Sequence, residues 1–164
     1  MSEIYSYSPE DVSITIAGIF DVEGVVADNF VTVTRVTPVF ETKVTADGQS
    51  VRSMRTDTVY DLELTLMQGS RTNEVLSILH YIDQASGKGR FPILVRDVGG
   101  STTFAAASCW IQDTPVTTFS GSDGSSRTWR IRCADGTLFV GSNTEESYID
   151  GDVGALLGAL AALV

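Results

Sequence analysis

The sequence predicts a mainly β (α+β) domain: a β-sandwich or partial barrel carrying one packed α-helix and a projecting β-hairpin. Three observations predict it. Apolar residues recur with period two over most of the chain, the mark of half-buried strands. One stretch, Ser70 to Gly87, switches to helical spacing. Turn residues such as Ala46-Asp47-Gly48 and Gly99-Gly100 separate the alternating runs.

The elements follow in order. Val12, Ile14 and Ile16 alternate with Ser13 and Thr15 in a first strand. Phe30 to Val36 is rich in Val and Thr and reads as a second, Val39 to Val44 as a third. Gly48 supplies a turn position that tolerates φ > 0, and Val51 to Arg55 returns from it. The arms of this hairpin carry Glu41, Lys43, Arg52 and Arg55 with few large apolar residues, so the hairpin is expected to project from the core.

Thr56 to Met67 is the clearest strand. Tyr60, Leu62, Leu64 and Leu66 share one face; Asp57, Asp61, Glu63 and Thr65 share the other. Such a strand packs one face on a core and displays an acidic row opposite.

In the helix, Ser70 or Thr72 serves as the N-terminal cap and Glu74 suits the positive end of the dipole. Val75, Leu76, Leu79 and Ile82 form the apolar stripe with Ile78 beside it, and Gly87 is the C-terminal stop. Strands resume at Phe91–Arg96, Thr102–Trp110 and Val116–Phe119. After a flexible Ser/Gly loop, Thr128–Cys133 alternates with Trp129, Ile131 and Cys133 inward and Arg130 and Arg132 outward. Leu138–Val140 is a last short strand.

The chain has 164 residues, 43% hydrophobic and 20% charged, enough for one domain with its own core and unlike a disordered chain. Residues 1–145 read as that domain and 146–164 as an extension, acidic and then apolar. The net charge is −10. Six acids precede the first basic residue, Arg35, and five follow the last, Arg132, leaving ten acids against eleven bases between them. The excess negative charge therefore sits at the two ends. It excludes binding of nucleic acid by phosphate neutralisation and suits either solubility or repulsion of an anionic body.

Chemistry is hard to find. His80 is the only histidine and is expected at the helix surface or its boundary. Cys109 and Cys133 have neither CxxC nor zinc spacing and read as buried thiols. No GxSxG, HExxH, P-loop or GxGxxG motif occurs. No catalytic residue, metal or cofactor is expected, and the protein is read as a non-enzyme. The N-terminal MSEIYSYSPEDV has no basic n-region or apolar core, so no signal peptide is expected.

The remaining residues point to surfaces. Asp57, Asp61 and Glu63 are either a solvated face or a functional lining. Arg130 and Arg132 are either a solvated edge that deters stray strand pairing or partners of the acidic row within or between subunits. The C-terminal GDVGALLGALAALV is too short to span a bilayer, which takes ~20 apolar residues. It places Leu156, Leu160 and Leu163 at helical spacing, fitting a self-docking tail or a helix that buries itself on a neighbour.

The order of elements, and three stretches in particular, resembles the small tail tube family of contractile-tailed phages. These are the N-terminal YSPEDVSITIAG ending at Gly18, RTDTVYDLELTLMQGSRTNEVLSIL from Arg55 to Leu79, and GRFPILVRDVGGSTTF from Gly89 to Phe104. The resemblance spans roughly residues 7–140 and leaves the tail outside it. It implies a virion protein, assembled in the bacterial host cytoplasm, whose hexameric rings stack into a tube. Within each ring one sheet per subunit joins its neighbours in a closed barrel. The tape measure would sit in the lumen and the genome would pass through it. The partners implied are further copies of the chain and the sheath, tape-measure, baseplate and terminator proteins, with no membrane insertion. On this reading Asp57, Asp61 and Glu63 line the lumen, and Glu41, Lys43, Asp47, Gly48, Arg52 and Arg55 belong to an inter-ring arm. Alternatives are a baseplate, terminator or secretion-tube subunit, or a monomeric β-barrel or sandwich that holds a ligand.

Overall fold

The computed structural model describes residues 7–143 and 158–163. A short 3-10 turn, Pro9–Asp11, leads into β1 (Val12–Ile16), β2 (Phe20–Asp21), β3 (Val31–Arg35), β4 (Phe40–Val44), β5 (Ser50–Met54) and β6 (Tyr60–Met67). Then come α1 (Thr72–Ser86), β7 (Phe91–Asp97), β8 (Thr103–Asp113), β9 (Ser126–Cys133) and β10 (Gly136–Phe139). The fold is mainly β with one long helix.

Eight strands form one antiparallel sheet in the order β2-β1-β7-β8-β9-β6-β3, with β10 also on β8. The 11-residue β8 is its hinge. Residues 103–106 pair with β10, whereas Cys109 and the residues beyond it pair with β9 along the same side. Register shifts between Phe91 and Ile93 and between Ile111 and Asp113 bend the sheet there, as bulges do.

The bend brings the two ends of the sheet toward each other. Val31 and Val33 of β3 line an apolar cleft with Val12 of β1, Val95 of β7, Phe104 and Leu138. The architecture is a partial barrel whose seam lies between β3 and β1. Its interior is a single cluster that includes Ile14, Ile16, Leu62, Leu64, Leu66, Phe104, Trp129 and Ile131. β6 follows the predicted alternation, with Tyr60, Leu62, Leu64 and Leu66 all buried. Close approach is strict at Gly136, where a Cβ would lie 2.3 Å from the Tyr60 ring. That ring packs edge-on against Phe104, centroids 5.3 Å apart.

The helix forms where expected but is turned about its axis. Ser70 accepts the Thr72 N–H at 3.2 Å, and Gly87 closes the C-terminus at φ 66°. The Thr72 hydroxyl donates to the Glu23 carbonyl and accepts the Glu23 N–H, at 3.2 and 3.1 Å. These bonds fix Thr72 against the body, and the residues one and two turns on, Leu76 and His80, are buried with it. Ile82 of the predicted stripe, and Ile78 beside it, are therefore exposed, and His80 lies inside, not at the helix surface or its boundary. Among the described residues the His80 Nδ1 has no hydrogen-bond partner.

Two further expectations change. Val116–Phe119 forms no strand: Pro115 precedes it, Val116 and Phe119 are exposed, and the Phe119 ring lies 5.5 Å from the Arg127 guanidinium. The strand expected from Thr56 begins only at Tyr60, because the residues before it belong to the base of the hairpin. β2, at two residues, was not predicted.

Candidate assembly surfaces

The outer face of β6 and β9 is built by cross-strand register. Asp61 stands opposite Arg132 and Glu63 opposite Arg130. Arg132 donates from Nε and Nη2 to the two Asp61 carboxylate oxygens at 2.8 and 2.9 Å, a bidentate pair. This bond raises the Arg132 pKa further above its ordinary value. Glu63 and Arg130 approach to 3.4 Å and are more exposed. The face is thus a ladder of paired charges and not an acidic row. β9 lies between β8 and β6, so the two arginines are not at a sheet edge. A surface pair of this kind contributes about 0–1 kcal/mol.

Asp57 does not join that face. It precedes β6 and sits in a clasp at the base of the hairpin. Its carboxylate accepts from the Thr37 hydroxyl and from Arg55 Nε, the latter at 3.1 Å. The Thr37 hydrogen bond, with Arg55 second, holds the Asp57 carboxyl below the usual carboxylate range. Arg35 closes the clasp by donating to the Thr37 and Asp57 carbonyls. Its guanidinium lies 5.7 Å from the centre of the Tyr60 ring. The clasp therefore ties the hairpin base to the first residue of β6.

Beyond the clasp, β4 and β5 form a separate two-stranded ribbon in which every residue is exposed. Gly48 takes φ 83° at the tip, where the Thr45 hydroxyl donates to Asp47. Register sorts the ribbon into two faces. Phe40 opposite Met54, Thr42 opposite Arg52 and Val44 opposite Ser50 share one; Glu41 and Lys43, with Ser53 and Val51, share the other. The first face is more apolar than the charged arms suggested, and Arg52 covers part of it by lying 4.3 Å over the Phe40 ring.

Of the C-terminal leucines, Leu160 and Leu163 are exposed, and Leu156 lies outside the described residues. The acidic part of the extension, Glu145 to Asp152, lies outside them too. Cys109 and Cys133 face each other across β8 and β9 as buried free thiols. A hydrogen bond with Cys109, and burial, push the Cys133 thiol far above the usual thiol range. Among the described residues no cluster of three or more His, Cys, Asp or Glu could hold a metal, and no helix is long and apolar enough to cross a membrane.

No protein-family model matches the chain. It is 29% identical over 160 residues to structural protein ORF10 of Pseudomonas phage KPP10, covering 93% of this chain and 92% of that one. Among solved structures it shares the fold of the cap that terminates the tube of the anti-feeding prophage, at a TM-score of 0.53 and 10% identity. That match covers 85% of this chain and 95% of the cap. A sheath/tube terminator of an extracellular contractile injection system aligns at a TM-score of 0.48 and 9% identity, over 84% of this chain and 99% of that one. The chain is thus similar to a phage structural protein and has the fold of a tube cap.

Proposed function

We propose that this chain is a structural subunit of the tube assembly of a phage tail, forming rings with copies of itself and carrying no chemistry of its own. The observation that carries the reading is the ribbon β4–β5. All ten of its residues are exposed, yet the clasp at Asp57 fixes its base, and one face carries Phe40, Val44 and Met54. A ribbon of two strands is marginal in water without a surface to lie on. Likeness to a phage structural protein over nearly the whole chain supports the setting.

Two positions in the tube fit. The tube-terminating position is favoured by the likeness to the anti-feeding prophage cap, and the comparisons lean this way. The repeating-tube position, with stacked hexameric rings and a lumen for tape measure and genome, is supported by the resemblance of the three sequence stretches. Electron microscopy of the purified protein separates them. Tubes of open-ended length at uniform diameter favour the repeating subunit, and single rings favour the terminator. A strictly monomeric species at every concentration would remove both and leave the ligand-binding sandwich.

The surface roles are part of the same proposal. The ribbon, with Glu41, Lys43, Asp47, Gly48, Arg52 and Arg55, is the arm that reaches a neighbouring ring. Deleting Asp47 to Gln49 with the flanking tips should give folded protein that no longer assembles. The β6 face is the lumen lining, with Asp61 and Glu63 in the ladder; Asp57, held in the clasp, is not part of it. The pairing with Arg130 and Arg132 makes that lining balanced in charge, so it holds phosphates weakly by offering no net positive field. Lysine at Asp61 and Glu63 should hinder genome delivery with tubes intact, and unimpaired delivery would refute the lining.

A further inference from the structure

The outer face of α1 is apolar and uncovered. Ile78, Tyr81 and Ile82 are 58%, 71% and 47% exposed and stand on one stripe, because the bonds of Thr72 to Glu23 turn the other side of the helix inward. Three large apolar side chains together on a helix mark a contact surface more strongly than scattered ones do. The acids on this helix, Glu74 and Asp83, argue against an anionic lipid surface as the occupant.

A second uncovered apolar element is on the same chain. Residues 158–161 are helical, with Ala162 N–H bonded to the Gly158 carbonyl at 3.2 Å. Leu160 is 50% and Leu163 83% exposed, so this turn is not seated on its own body. The chain carries no charge after Asp152, and no Lys or Arg that would hold a lipid headgroup. Around the leucines stand Gly158, Ala159, Ala161 and Ala162, which let a second helix come close. The bulk that the tail lacks is what the α1 stripe provides.

We propose that the C-terminal segment of one copy docks on the outer face of α1 of a second copy, Leu160 and Leu163 packing against Ile78, Tyr81 and Ile82. The contact rests on the self-assembly reading and gives it a specific link between subunits. It buries apolar surface on both sides, and the contacting side chains themselves carry no charge.

The test is disulfide trapping between full-length chains. An Ile82→Cys chain is mixed with a Leu160→Cys chain and briefly oxidised; Cys109 and Cys133, fully buried, are poor competitors. A disulfide joining the two different chains is the expected result, lost when Tyr81→Asp is added to the first chain. A double variant that cross-links only within one chain, while the mixture gives nothing, makes the tail its own occupant and overturns the proposal. Rings or tubes visible by electron microscopy without any cross-link also overturn it, and leave self-assembly standing. Absence of both cross-link and assembly sinks the proposal together with the reading beneath it.

Discussion

The β6–β9 pair and the β4–β5 ribbon are both antiparallel, both in unbroken register and both interleave apolar with charged residues. They differ in what lies beneath them. Along β6 every second residue from Tyr60 to Leu66 is buried in the core, and Trp129, Ile131 and Cys133 of β9 do the same. Along the ribbon no residue is buried, although Phe40, Val44, Val51 and Met54 are as apolar as many core residues. Alternation thus specifies a strand, and only the rest of the chain decides whether its apolar face finds cover. Where it does, the fold gains stability; where it does not, the apolar surface stays exposed to water.

The contrast sets the scale of several substitutions. Leu64→Ala should cost about 3 kcal/mol, since Leu64 is fully buried against an interior that cannot collapse into the space. Val51→Ser on the ribbon should move stability by less than about 0.5 kcal/mol in the same urea titration. Comparable losses at the two sites would erase the distinction. Gly136→Ala comes next, at about 2 kcal/mol, because the new methyl must displace the Tyr60 ring from its contact with Phe104. The melting temperature of this variant reads it, and an unchanged value would mean that the ring yields freely.

Smaller effects follow. Arg132→Leu should cost about 1 kcal/mol, less at high salt, by breaking the bidentate bond to Asp61 on a half-exposed face. His80→Leu should gain about 1 kcal/mol, since it removes a buried nitrogen without a partner among the described residues and keeps the volume. Chemical denaturation checks both. The last test concerns the clasp. Its carboxyl has a folded-state pKa below the ordinary 3.8, so its contribution is present above that value and is lost as pH falls through the lower folded one. Below about pH 4, amide exchange in the ribbon should therefore quicken before exchange in β6 does, and Asp57→Asn should remove that pH dependence.

How much of this was legible in the sequence follows the same line. The β6 and β9 faces could be read residue by residue, because local alternation and burial agree there. The helix was legible in extent but not in rotation. Its phase is set by Thr72 bonding to Glu23, 49 positions earlier, and nothing near Thr72 announces that. Asp57 was read as a strand residue because its spacing from Asp61 is even. Arg55 is near in the chain, but the other partners of Asp57, Thr37 and Arg35, are about twenty residues away and carry no local pattern. The matching of Asp61 with Arg132 and Glu63 with Arg130 needed the register of two strands separated by the helix and two more strands. Each acid and base was visible, and only the fold could pair them.

The seam between β3 and β1 has a consequence for what a lone chain can pair with. Its free edge is open to any strand of the right length, including misfolded chains. β3 limits that exposure: it is five residues long, turns Thr32 and Thr34 outward, and ends at Arg35, which is engaged in the clasp. An edge so short offers few ladder bonds to a casual visitor. The seam is thus open in shape yet poor in the hydrogen bonds that would hold a stray strand on it.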